Sequence, residues 1–253
     1  MSPIIRVEKV SKKFRIYSDK GTTLKERLLF KKRRTYKEQI VLNNISFTVE
    51  KGEAVGLIGQ NGCGKSTTLK LLSRIMYPEQ GSIEVLGRVS SLIELGAGFH
   101  PDMSGRENIF INASIFGLTR KEIEERLNAI IEFSELQNYI DNPVRTYSSG
   151  MYMRLAFSVA IHVSADVLLI DEILAVGDSN FQEKCFQKLK ELNKNGLTIV
   201  LVSHDLGSVL NLCERALWLE QGMIYENSNQ VQYVIDRYME YMEKRKNKLI
   251  GEE

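Results

Sequence analysis

One run of the chain has the residue types and spacing to hold a polyphosphate: Gly59-Gln60-Asn61-Gly62-Cys63-Gly64-Lys65-Ser66-Thr67. Gly, four residues, then Gly-Lys-Ser/Thr is the spacing of a phosphate loop. Its glycines let the backbone curl until successive N–H groups converge on a β-phosphate, and the helix that follows presents its positive end. Lys65 then reaches the β- and γ-phosphates, and Ser66 offers its hydroxyl to Mg²⁺. A second constellation is Asp171-Glu172, which closes the apolar run Val167 to Ile170. A strand-end carboxylate at Asp171 suits Mg²⁺ held through water, and a second one at Glu172 is placed to polarise an attacking water. The third is His204, just past Leu201-Val202-Ser203, at the sheet edge where α/β folds bind ligands, within reach of a γ-phosphate.

These residues need a frame. Glu53 to Ile58 is a short apolar run into the glycine cluster, and the leucine spacing after Ser66 is helical, which gives strand, loop, helix. Val167 to Ile170 and Leu197 to Val202 are continuously apolar and branched, as central parallel strands are, and a helix at about Ser179 to Lys194 makes the crossover between them. Ala216 to Leu219 and Met223 to Glu226 predict a hairpin through Glu220-Gln221-Gly222. The opening segments Ile4 to Ile16 and Val41 to Val49 predict a small sheet, separated by Tyr17 to Ile40 with its basic run Lys31-Lys32-Arg33-Arg34. From Ser104 to about Ala165 the pattern is helical throughout, and the last element is a helix with Val231, Val234, Ile235, Tyr238 and Met242 along one face.

Composition narrows the classes. The 253 residues carry 34 basic against 32 acidic side chains, a net charge of +2, too little for a protein that coats polyanions. With 43% hydrophobic residues and four prolines the chain can fill a core, and no run reaches the roughly 18 apolar residues of a membrane helix. No secretory signal opens it, so a cytoplasmic location is expected. Its three cysteines, Cys63, Cys185 and Cys213, lack metal-ligand spacing and read as reduced thiols, the last two as helix packing.

In order, the phosphate loop, Tyr147-Ser148-Ser149-Gly150-Met151, Val167 to Glu172, Asp178 and His204 resemble the nucleotide-binding domain of an ABC transporter over nearly the whole chain. The resemblance implies an α/β fold: a phosphate-loop NTPase core with a mainly parallel central sheet, an N-terminal antiparallel β subdomain and an inserted α-helical subdomain. It spans 1–253 as one domain, with the helical part at about 104–165 and a C-terminal helix and tail at about 229–253. It also implies an ATPase with ATP and Mg²⁺ as cofactors, Glu172 as general base with Lys65 and His204 as catalytic partners, and ATP contacts from Gly59 to Thr67. Ser148, Ser149 and Gly150, a helix N-terminus with small residues, would grip the γ-phosphate bound to the opposite subunit, so that a homodimer buries two ATP molecules. Phe14 matches the aromatic that stacks on adenine, with Tyr17 as a nearby competitor and plain strand packing as the other reading. Asp178 resembles the aspartate that crosses the dimer seam.

Two departures narrow the resemblance. The usual signature is Leu-Ser-Gly-Gly-Gln, and this chain has Tyr-Ser-Ser-Gly-Met. The usual loop glutamine that faces the membrane partner is missing: ungapped counting from Pro101 puts Leu95 there, and Glu94 serves as a metal or water ligand only with a one-residue shift. With Ser91 to Pro101 and the basic insertion after Tyr17, these features resemble the branch that exports O-antigen, capsule and teichoic acid. That branch implies a separate integral-membrane permease, a polysaccharide handled indirectly, no nucleic acid, and a peripheral place on the cytoplasmic face of the inner membrane. A further carbohydrate-binding domain after the ATPase is not expected. Alternatives are the ATPase of a drug or nutrient system, and a soluble ATPase acting on ribosomes or DNA, for which four basic residues are a thin footprint. The same basic run fits anionic headgroups or a solvated loop face.

Overall fold

Side chains along a strand point to opposite faces in turn, so a strand with apolar residues at every position must be covered on both sides. Four strands here are apolar along most of their length and buried at nearly every position. In a computed structural model, which describes residues 3–17, 36–92, 95–171 and 177–250, β3 (Ala54–Ile58), β6 (Val167–Asp171), β7 (Thr198–Val202) and β8 (Arg215–Glu220) lie inside one sheet. Its order is β5-β6-β7-β3-β8-β9, with β5 (Val89–Ser91) and β9 (Met223–Ser228) at the edges. Every neighbouring pair is parallel except β8 and β9, which form the expected hairpin.

The alternation sorts the core into two layers. Leu168, Ile170, Ile199, Leu201, Ala216 and Trp218 face one side, where they meet Phe157, Phe181 and Val234 from helices. Val167, Leu169, Val200, Val202, Leu217 and Leu219 face the other. That second layer is closed by helix α1 (Lys65–Leu72) and by a three-stranded antiparallel sheet of β2 (Tyr36–Val49), β1 (Ile5–Tyr17) and β4 (Gln80–Val85). The β1–β2 ladder extends to Tyr17↔Tyr36, so the expected break from Tyr17 to Ile40 is too wide: residues 36–40 continue β2. Lys31 to Arg34 lie outside the described residues.

Three helices form a further layer with its own core of Ile109, Ile123, Ile130, Leu155 and Val159: α2 (Gly105–Ile115), α3 (Arg120–Ser134) and α4 (Ser149–His162). Ser104 and Glu107 form a capping box that starts α2, and Thr119 and Glu122 do the same for α3, so each start is written in four residues. The expected continuous helicity is interrupted after Ser134, where Glu135 caps α3 with φ +60°; residues 135–148 are a connecting segment holding the 3-10 turn Val144–Thr146 and a single antiparallel bridge from Pro143 to Ser104. Helix α5 (Ser179–Lys194) is the crossover between β6 and β7 and buries Phe181, Cys185 and Leu189 at every fourth position. After β7 come the short α6 (Leu206–Leu212) and, at the end, α7 (Val231–Ile250), which buries Val231, Val234 and Ile235. No helix among the described residues is long and apolar enough to cross a membrane.

Candidate functional site

Strand register brings the chemistry to one edge. Asp171 pairs with Val202, and Val202 pairs with Leu57, so the carboxyl ends of β6, β7 and β3 finish level with one another. Beyond them stand Asp171 itself, His204 two residues past β7, and the glycine loop from Gly59. His204 is exposed there.

The loop is shaped by its glycines, two of which leave no room for a side chain. Gly59 has φ +144°, and a Cβ on it would run into the Leu219 carbonyl oxygen and lie 2.8 Å from Cys63 Sγ. Gly62 and Gly64 also have positive φ, and Gly64 caps the N-terminus of α1 in a left-handed conformation. Lys65 is buried, at 4% exposure, and its Nζ donates to the carbonyls of Gly59 (2.8 Å) and Gln60 (3.0 Å). The ammonium therefore lies folded across the mouth of the loop, where an anion would meet it. Ser66 Oγ lies 3.4 Å from Asp171 Oδ1, a hydroxyl and a carboxylate converging in front of the loop. Gln60 and Asn61 complete the turn, Asn61 being exposed, and Thr67 lies in the first turn of α1. Burial pushes the Cys63 thiol up, with Lys65 opposing, so Cys63 is a packed neutral thiol.

The signature residues sit apart from this loop. Ser148 caps α4, its Oγ accepting from Met151 N at 3.2 Å, and Ser149 and Gly150 open the helix. They line a cavity of about 480 Å³ with Met153, Arg154 and Asp178, and the phosphate loop contributes nothing to it. A Cβ on Gly150 would approach only Ser148 Oγ, at 3.9 Å, so the helix start is open to an incoming group.

Asp178 caps α5 by accepting from Phe181 N at 3.0 Å, and it also accepts from Arg154 Nη2 at 2.6 Å. The Phe181 N–H first, and the Arg154 guanidinium with it, hold the Asp178 carboxyl below its ordinary value. Arg154 Nη1 donates to Glu135 at 2.8 Å, and Lys184 donates to the other oxygen of that carboxylate at 2.9 Å. Spacing does not single out Arg154, although it is the one cation ahead of the buried stretch Leu155 to Ile161 of α4. The same helix holds the segment after Leu95: Tyr152 Oη donates to the Gly96 carbonyl at 2.9 Å and its ring meets Phe99 edge-on. Asn108, fully buried, accepts from His100 N and donates to the carbonyls of His100, Met103 and Ser104, while Asn112 donates to Ala97. These anchors too were missed, since an asparagine within a helix carries no local signal of what it holds.

Phe14 is half-buried in β1, with the Lys12 ammonium 5.7 Å from its ring, and Tyr17 pairs through its backbone with Tyr36. The strand β2 carries Val41 and Leu42 against Gly64, so the β1–β2 ladder runs on past the loop. Glu172 and Glu94 lie outside the described residues.

A doubly covered parallel sheet with a glycine loop, a buried lysine and a strand-end aspartate at one edge defines a phosphate-loop nucleotide-binding protein. Residues 42–175 match the family model described as ABC transporter, and the chain belongs to that family of ATPases. It is 45% identical over 247 residues to the O-antigen export system ATP-binding protein RfbB of Klebsiella pneumoniae, covering 96% of this chain and 100% of that protein. Against the teichoic acids export ATP-binding protein TagH of Bacillus anthracis it is 37% identical over 240 residues, 95% of this chain and 43% of that longer protein. Its fold is that of the dimeric cassette MJ0796 solved with ADP and Pi, with a TM-score of 0.71 at 20% identity over 88% of this chain and 97% of that one.

Proposed function

We propose that this chain is the ATP-hydrolysing subunit of a transporter that exports a lipid-linked surface polysaccharide, O-antigen, capsule or teichoic acid, through a separate membrane permease. It works as a homodimer, peripheral on the cytoplasmic face of the inner membrane. The observation that carries the reading is the separation of the two half-sites: the Ser148 to Gly150 helix start lines a cavity to which no residue of the loop at Gly59 to Thr67 contributes. Each fits what the other lacks, so two chains facing head to tail complete two nucleotide sites.

In each site the loop N–H groups and Lys65 bind the β- and γ-phosphates of one chain's nucleotide, and the Ser148, Ser149 and Gly150 N-terminus of the second chain meets the γ-phosphate. Ser66 and Asp171 fit Mg²⁺, with one hydroxyl and one carboxylate oxygen converging in front of the loop. Bound there, the ion would neutralise charge on the phosphates. Glu172 accepts the proton of the attacking water and His204 contacts the γ-phosphate. Phe14 or Tyr17 stacks on adenine, and Glu94, with a one-residue shift, takes the place of the loop glutamine as a metal or water ligand. Coupling runs through α4: the helix that starts at the signature also holds Gly96 and Phe99, so closure on ATP moves the segment near Glu94 to His100, where a permease element would dock.

The names of the relatives favour polysaccharide export over drug or nutrient transport, since both are export systems for cell-surface polymers. Tagged Glu172→Gln recovered from detergent-solubilised membranes of the native host with ATP and Mg²⁺ is expected to bring a stoichiometric multi-helix permease. Recovery of ribosomes or nucleic acid without a membrane protein would overturn the reading.

A further inference from the structure

The C-terminal helix α7 reaches back to the phosphate loop. Arg245 Nη1 donates to Gln60 Oε1 at 3.1 Å and to Glu220 Oε1 at 2.9 Å, and the Gln60 carboxamide N–H points to Met242 Sδ. Gln60 is thus held at both ends of its amide by one helix face, 182 and 185 residues away in sequence. Glu220 is 6% exposed, its Oε2 has no hydrogen-bond partner among the described residues, and its other oxygen is met by Tyr241 as well as Arg245. This carboxylate stands behind the loop: the carbonyl oxygen of the preceding residue, Leu219, occupies the space a Cβ on Gly59 would need. Beside the bridge lies an open cleft of about 870 Å³ lined by Gln60, Met239, Met242, Arg245 and Lys246.

We infer that Arg245 is a positioning residue for nucleotide binding, which tethers Gln60 of the phosphate loop and neutralises the buried Glu220 carboxylate behind it. The inference rests on the reading of Gly59 to Thr67 as the triphosphate site. Two effects have the same sign. A loop pinned at Gln60 has less order to acquire when it closes on phosphates, which improves affinity. A buried carboxylate left without its arginine would repel a polyphosphate through a low-dielectric interior. An exposed cation on a terminal helix thereby controls affinity at a loop it does not belong to.

The test is calorimetric binding of ATP with Mg²⁺ to the purified full chain, with thermal unfolding of the nucleotide-free protein measured beside it. Arg245→Ala is expected to weaken ATP by about three- to tenfold, the size of one to two lost hydrogen bonds to charged or polar groups. Adding Glu220→Gln to that variant should restore the part of the loss that comes from the repelling charge and leave the part that comes from the lost Gln60 tether, and Arg245→Lys should keep most of the affinity. A role in folding alone would lower the unfolding midpoint of Arg245→Ala and leave ATP affinity well below that temperature unchanged, which would overturn the inference. Where Arg245→Ala fails to fold, Arg245→Met, which keeps the apolar stem and removes the charge and the hydrogen bonds, decides: weaker ATP binding supports the inference and native binding removes it. Lys65→Ala separates the two readings. If it binds ATP as the native chain does, the loop is not the triphosphate site; if it loses ATP while Arg245→Ala does not, only the present inference falls.

Discussion

Gly59 and Gly62 both adopt positive φ, yet they differ in what surrounds them. A methyl group at Gly59 meets the Leu219 carbonyl and Cys63 Sγ, while at Gly62 it meets nothing within 4 Å. Gly62→Ala is therefore expected to cost only backbone strain, about 1 kcal/mol. Gly59→Ala adds a clash with rigid backbone and should cost about 3 kcal/mol or more, a difference that denaturant unfolding of the two variants would show. Burial pushes Cys185 and Cys213 up to about 12, so neither thiol should react with a maleimide at neutral pH until the chain unfolds. Fast labelling of the native protein would contradict the packing described. At this scale the phosphate loop was legible because its chemistry is local: nine adjacent residues contain the turn, the cation and the hydroxyl. Arg154 was not, because its partners Glu135 and Asp178 lie 19 and 24 residues away and only the fold brings them together.

Among the elements, α4 has the largest share of the work. Its first turn carries the signature, Tyr152 holds Gly96, and Arg154 holds both Glu135 and Asp178. Ser148→Ala removes the N-cap and should cost about 1 kcal/mol of stability. Arg154→Ala is expected to lower ATP hydrolysis severalfold while leaving ATP binding by the separate chain near native, since Arg154 lines the signature cavity and not the phosphate loop. Equal losses of binding and hydrolysis would argue for a general loss of structure. Periodicity sufficed for β6, α5, β7 and the β8–β9 hairpin, where each element's pattern is complete within itself. It failed for the start of β2, because residues 36–40 are all exposed and their strand character comes from pairing with β1. It also failed at 135–148, where apolar residues such as Leu136, Ile140 and Val144 fill the helical layer's core from an irregular segment.

For the whole molecule, acid should act partly through His162, at the end of α4. Burial holds its imidazole below the ordinary value, and Nδ1 sits 2.7 Å from the Ser158 carbonyl oxygen. The unfolded chain therefore takes up this proton first, so the contribution of the neutral histidine is present above the ordinary value of 6.5 and is lost as pH falls below it. His162→Gln should flatten the fall in unfolding free energy between about pH 7 and pH 5. An unchanged slope would mean that other groups dominate. The direct measurement of the account is the mass of Glu172→Gln in solution with ATP and Mg²⁺, alone and combined with Ser149→Arg. The first should be a dimer holding two nucleotides, and the second a monomer that still binds ATP through its phosphate loop. A Glu172→Gln chain that stays monomeric at saturating ATP, or a dimer that survives Ser149→Arg, would contradict the claim that each site is built from two chains.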